Sequence, residues 1–264
     1  MIFYKNKTGL ITGASSGIGR QMSLDLAQRG TRPVLLARRK DRLEELADEI
    51  KKTFGIDAVV IEKDLNEPGA AAWLYSHLKE QQIEIDILIN NAGFGFKGRF
   101  LKGDAATYRN MTDLNVSVLT ELTYFFLPDM LSKKTGGILN VASMAAMSPV
   151  PYFAVYAATK SYVSSFGCAL WHEMKGTGVN ISTLCPGPVR TEFFIVAGAK
   201  EGDAPERTVQ TAREVSKIGL DALAANTMLV PTSASLKFLS KVSSVIPLKT
   251  NMKVAASFMK ESDV

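Results

Sequence analysis

The amino-acid sequence predicts an α/β fold, a doubly wound parallel sheet of about seven strands with helices on both faces, in one domain over residues 1–264. Three observations predict it. Short apolar segments alternate along the chain with longer stretches of helical periodicity, the pattern that a helix-covered parallel sheet requires. A glycine-rich turn joins the first apolar segment to the first helical one. Hydrophobic residues make up 46% and charged residues 22% of the 264 positions, which suits one large core and leaves no length for a second full domain or a long disordered arm.

Strands are expected at 8–12, 33–37, 58–62, 85–90, 137–143, 179–185 and, as a short one, 228–230. Helices fill the intervals. The helix after the second strand is the clearest, because Leu43, Leu46, Ile50 and Phe54 recur on one face, charged residues cover the other, and Gly55 supplies a stop. The stretch from 186 to about 215 is rich in Gly, Pro and charge, and within it 188–215 is expected to form a substrate loop or lid. Residues 232–264 form a C-terminal extension in which Leu, Phe, Val and Met interleave with Lys237, Lys241, Lys249, Lys253 and Lys260. That extension reads first as a helix packed on the protein or on a sister subunit, and second as an amphipathic element touching an anionic membrane or covering the substrate mouth.

The first strand runs into TGASSGIG at 12–19, with Gly13, Gly17 and Gly19, and then into a helix whose apolar residues include Met22, Leu24, Leu26 and Ala27. Glycines here permit a tight turn and close backbone approach to a pyrophosphate, and the free N–H groups of a helix start bind its charge. Ser15 and Ser16 add hydroxyl donors beside Gly17 and Ile18. The arrangement is that of a Rossmann-type dinucleotide site. An acid at the end of the second strand would bind the ribose hydroxyls of NAD and repel a 2′-phosphate. The sequence there is LLARRKD, with Ala37 in place of an acid and Arg38 and Arg39 offering bidentate donors. NADP(H) is therefore the expected cofactor, with Asp41 assigned to the start of the following helix.

The formal net charge is +5, from 31 basic and 26 acidic residues that are scattered along the chain. Without a dense basic run this describes a solvated surface, and nucleic acid is not an expected partner. Cys168 and Cys185 stand in apolar surroundings without CxxC spacing, so reduced thiols and a cytoplasmic location are expected. The start MIFYKNKTGLITG leads directly into the first strand, so no leader is expected, and no apolar run is long enough for a bilayer. His77 and His172 show no ligand pattern, and no metal is expected.

Tyr156 and Lys160 stand four residues apart in YAATK. On a helix both leave the same face. A fixed ammonium beside a phenol favours the phenolate and brings Tyr156 toward proton exchange at neutral pH. With these motifs in order, the chain resembles the short-chain dehydrogenase/reductase family in its compact single-domain form. The resemblance runs from Thr8 to about Val230 and rests on TGASSGIG, the pair Asp64 and Leu65, NNAG at 90–93, Asn115, Ser143, the Tyr156/Lys160 pair, and PGPVRTE at 186–192.

The resemblance implies that Asp64 and Leu65 flank the adenine and that Asn91, Ala92 and Gly93 line the cofactor groove. It implies that Ser143 hydrogen-bonds the substrate oxygen, that Lys160 holds the nicotinamide ribose, and that Asn115 positions a water leading to Lys160. Pro186, Gly187, Val189 and Thr191 would lie along the nicotinamide, with Thr191 reaching its carboxamide. Hydride then passes between nicotinamide and a carbonyl or alcohol carbon, with Tyr156 as general acid/base. Phe94, Phe96, Met144, Met147 and Val150 border the substrate side and point to a hydrophobic substrate. A homodimer or homotetramer through helices near 107–127 and 152–174 is also implied. Two other classes compete: a catalytically silent NADP-binding regulator, which a broken Asn115, Ser143, Tyr156 or Lys160 would favour, and a Ser143 hydrolase, for which VASMA lacks the nucleophile elbow.

Overall fold

The computed structural model of the protein describes residues 3–198, 208–234, 237 and 246–258. Seven strands pair in parallel in the order β3-β2-β1-β4-β5-β6-β7. They are β1 (Thr8–Thr12), β2 (Arg32–Ala37), β3 (Val59–Glu62), β4 (Ile87–Asn90), β5 (Gly136–Val141), β6 (Val179–Cys185) and β7 (Leu229–Pro231). The order reverses between β1 and β4, where Leu10 lies opposite Leu88 and Ile11 opposite Ile89. A crevice therefore opens beyond the carboxyl ends of these two strands.

Successive strand residues point to opposite faces, so Leu10 and Ile11 enter different cores. On one face Ile11, Leu35, Ile89 and Leu139 pack against α1 (Gly17–Gln28), α2 (Lys40–Phe54) and α8 (Ala212–Ala224). On the other, Leu10, Val34, Leu88 and Ile138 pack against α3 (Ala70–Glu80), α5 (Leu119–Lys133) and α6 (Ala154–Glu173). Helix α2 buries Leu43, Leu46 and Ile50 completely, each contributing roughly 1.5–3 kcal/mol of transfer free energy. It ends at Gly55, whose φ of 70° closes a hydrogen bond to the Lys51 carbonyl. Three further helices are α4 (Ala105–Thr112), α7 (Phe193–Val196) and α9 (Leu248–Phe258), the last two bordering the crevice.

The differences from expectation have local causes. Strand β5 stops at Val141 because Ser143 turns away to accept a hydrogen bond from the Ala145 N–H at 3.1 Å. Strand β7 is shifted one residue on to end at Pro231, which an edge strand tolerates. The loop expected to reach 215 is interrupted by α7 and by a bridge between Val189 and Gln210, and it ends at Thr211. There Thr211 and Glu214 form a reciprocal capping box that starts α8. Between α4 and α5 the chain widens into a π turn, Asp113–Val118, for which the sequence carries no signal. Helix α9 forms inside the C-terminal extension. Residues 199–207 of the expected lid, together with Lys241 and Lys260 of the extension, lie outside the described residues. Among the described residues no helix is long and apolar enough to cross a membrane.

Candidate active site

The crevice is a cleft of about 600 Å³. Its first wall is the glycine turn, where Gly13 and Gly17 take φ of 67° and 55°, values that side chains with a Cβ resist. The turn is fixed from below by β4. Asn91 Nδ2 donates to the carbonyls of Thr12 (2.9 Å) and Gly13 (3.3 Å), while Thr12 Oγ1 accepts from the Asn91 and Ala92 N–H groups. Ser16 caps α1 without a side-chain hydrogen bond, and α1 has no acid in its first turn. Its opening N–H groups therefore have no side-chain cap or carboxylate of their own helix, the arrangement that suits an anion. Ser15, Ser16, Gly17, Ile18, Asn91, Ala92 and Gly93 all line the cleft. Gly19, expected among the cofactor contacts, stands behind the wall: a Cβ there would lie 2.4 Å from the Gly13 carbonyl oxygen and 2.5 Å from Asn91 Nδ2. Its role is close packing of α1 on the turn.

Arg38 and Arg39, equivalent in the sequence, are different in space. The Arg38 side chain is 72% exposed and approaches Asp64 only at 3.7 Å. Arg39 reaches across the turn, donating to Ser15 Oγ (3.0 Å), Ser16 Oγ (2.9 Å) and Glu192 Oε2 (2.8 Å). Arg42 donates to the other oxygen of Glu192 at 2.6 Å. Hydrogen bonds from Arg39 and Arg42 hold the Glu192 carboxyl below the usual carboxylate range. Asp41 lies in the first turn of α2, as expected. Asp64 and Leu65 line the same end of the cleft, where Asp64 Oδ1 accepts from the Asn66 N–H at 3.0 Å.

At the other end, Tyr156 and Lys160 rise from the first turns of α6, exposed by only 8% and 5%. The lysine shares a face with the phenol, as the spacing predicts, but does not set its proton affinity alone. Its Nζ donates to the Val141 carbonyl at 2.8 Å and stands 5.9 Å from the Tyr156 ring centroid. Burial dominates instead, pushing the phenol up to about 12, and a hydrogen bond with Ser143 pulls it back in part. Burial also brings Lys160 down to about 8. Ser143 stands two residues beyond the end of β5, its oxygen fixed by the Ala145 N–H.

Asn115 is buried in the π turn, a feature that often marks functional positions. Its Nδ2 donates to the Phe94 carbonyl and to Thr159 Oγ1, both at 3.0 Å, and its Oδ1 accepts from the Phe94 N–H. A Cβ built on Gly93 would lie 2.8 Å from Asn115 Oδ1 and 3.4 Å from Lys160 Nζ. Gly93 thus keeps open the gap between the two groups. Asn115 does not itself line the cleft. Thr159, which the sequence did not single out, connects it to α6 by also donating to the Tyr156 carbonyl at 2.7 Å.

The segment after β6 closes over both ends. Pro186 accepts from the Met144 N–H at 2.8 Å, and Pro186, Gly187, Val189 and Thr191 line the cleft. A Cβ on Gly17 would meet Thr191 Cγ2 at 3.0 Å, so this segment lies against the glycine turn. Phe193 then places its ring 5.3 Å from that of Tyr156. Phe94, Met144, Met147, Val150 and Phe153 complete an apolar wall. Phe96, expected in that wall, packs edge-on against Tyr108 with centroids 5.8 Å apart. Helix α9 brings Asn251 and Ala255 to the same cleft.

A family profile described as short chain dehydrogenase matches residues 7–202. The chain is 28% identical to very-long-chain 3-oxoacyl-CoA reductase of Anas platyrhynchos, over 96% of its length and 82% of that protein. It is 31% identical to 17-beta-hydroxysteroid dehydrogenase type 3 of Mus musculus, covering 81% of this chain and 70% of the other. Among solved structures, a short-chain dehydrogenase from Sphingobium yanoikuyae in complex with NADPH superposes with a TM-score of 0.81 at 30% identity, covering 91% of this chain and 96% of that one.

Proposed function

The chain belongs to the short-chain dehydrogenase/reductase family of nicotinamide-dependent oxidoreductases, and from that premise we propose an NADPH-dependent reductase of hydrophobic ketones or aldehydes. One observation carries the proposal: Ser143, Tyr156 and Lys160 converge on a cleft whose far end presents Arg39 and the free start of α1. The donors at that far end fit a dinucleotide carrying a 2′-phosphate. The bound dinucleotide supplies the hydride. The remaining work falls to the protein. Ser143 accepts from Ala145, and its own proton, directed to Tyr156 in this structure, turns to a carbonyl oxygen placed between the two hydroxyls. Tyr156, held protonated by burial, is the general acid that gives its proton to the same oxygen. Lys160, charged below about pH 8, binds ribose hydroxyls, and Asn115 sits across Gly93 from it, where one water joins the two.

Phe94, Met144, Met147, Val150 and Phe193 favour an apolar substrate. Exposed Tyr124 on α5 and Tyr162 on α6 support a homo-oligomer through those helices, which light scattering of the purified protein checks. The two unpaired cysteines support a cytoplasmic location. The test of function is oxidation of NADPH, followed by absorbance, with a panel of aromatic and aliphatic ketones and aldehydes. Turnover of apolar members is expected. No turnover across the panel, or turnover confined to small polar carbonyls, defeats the substrate reading.

A further inference from the structure

Each of the three guanidinium nitrogens of Arg39 already donates in this structure. Nε reaches Ser15 Oγ at 3.2 Å, Nη2 reaches Ser15 and Ser16, and Nη1 reaches Glu192. Arg42 takes the second oxygen of the same carboxylate. Two guanidiniums converging on one carboxylate form an anion site that holds an anion of the protein's own. The three side chains are 39–43% exposed, so water reaches them and the pairs are exchangeable. Glu192 arrives from the segment after β6, which crosses the cleft and touches the glycine turn through Thr191. A 2′-phosphate drawn to Arg39 therefore meets a negative charge on the same guanidinium.

We propose that Glu192 is a specificity-determining residue of the dinucleotide site, an internal carboxylate that competes with the 2′-phosphate for Arg39 and Arg42. The inference rests on the NADPH reading above and deepens it: the phosphate binds by displacing Glu192, and Arg42 becomes its second ligand. The two guanidiniums keep Glu192 ionised well into acid, so the competition persists across the neutral range. Displacement also reaches the other end of the cleft. Glu192 is followed by Phe193, whose ring lies against Tyr156, so arrival of the phosphate loosens the aromatic cover over the phenol. An unphosphorylated dinucleotide leaves the latch shut.

The test compares equilibrium binding of NADPH and NADH, by cofactor fluorescence, to the original protein and to Glu192→Gln, Arg42→Ala and Arg39→Ala. The near-isosteric Gln removes charge while keeping shape, and a thermal melt verifies the fold. Glu192→Gln is expected to bind NADPH about fivefold more tightly, the scale of two exposed ion pairs, with NADH changed less than about twofold. The same gain is expected for 2′-AMP over 5′-AMP, and Arg42→Ala is expected to weaken NADPH. Unchanged or weaker NADPH binding by Glu192→Gln, while Arg39→Ala still loses NADPH selectively, overturns the competition and leaves the cofactor reading standing. Equal loss of both dinucleotides in Arg39→Ala overturns the two together.

Discussion

At the glycine-turn end the cleft is bordered by exposed charge, with Arg39, Arg42 and Glu192 each about two-fifths open to solvent. At the other end the pair Tyr156 and Lys160 is almost wholly buried. Solvent screens the first set, so its members exchange partners at small cost and select among ligands by charge. Burial governs the second set, so its protonation states are fixed by desolvation before any neighbour acts. One end is suited to choosing a molecule, the other to holding a proton.

The largest expected effect tests the buried end. Tyr156→Phe removes one hydroxyl and should lower kcat by about 10²–10⁴ while NADPH still binds, measured by turnover alongside cofactor fluorescence. A variant as active as the original would mean that the phenol is not the proton donor. Next is Lys160, whose value falls from 10.5 to about 8 on folding. Between those values the unfolded chain binds the extra proton, so stability rises with pH through that window. Relative to Lys160→Met, the original protein should gain on the order of 3 kcal/mol from pH 8 to 10.5, read as the difference between two series of urea midpoints. A constant difference would show that burial does not set the charge of Lys160.

Gly19→Ala stands between the two regions, because its Cβ would overlap the Gly13 carbonyl. A loss of about 1–3 kcal/mol is expected, seen as a lower urea midpoint together with weaker binding of both dinucleotides. Unchanged stability would show that the turn relaxes freely. The smallest effect separates two neighbours at the exposed end: Arg39→Ala should weaken NADPH about tenfold and Arg38→Ala less than about twofold, by fluorescence titration. Equal losses would erase the distinction that their contacts draw.

The same contrast explains how much could be read beforehand. Strands such as 8–12 and 179–185 announce themselves because both faces are buried and β-branched and apolar residues cluster there without a charge. The glycine turn and the Tyr156/Lys160 pair depend on spacing along a single element, and spacing is visible in a string of letters. Glu192 was legible only as part of a motif, and its two arginine partners are about 150 residues distant in sequence. Thr159 connects Asn115 of the π turn to Tyr156 of α6, and Asn251 and Ala255 come from the far end of the chain. The upward push of burial on Tyr156 is invisible in the sequence for a related reason. Proximity to Lys160 is local, but the depth of burial that outweighs it belongs to the whole fold.

The π turn at Asp113–Val118 has a consequence for chain counting. The rod formed by α4, the π turn and α5 carries one residue more than a regular helix spanning the same distance would hold. Removal of a single residue there, Ser117 for example, would let the rod close into an unbroken α-helix without disturbing the strands at either end. Asn115 would then turn away from Thr159 by about a quarter of a revolution. A deletion that regularises the backbone would thereby disconnect the asparagine, so the surplus residue sets the direction in which one side chain faces.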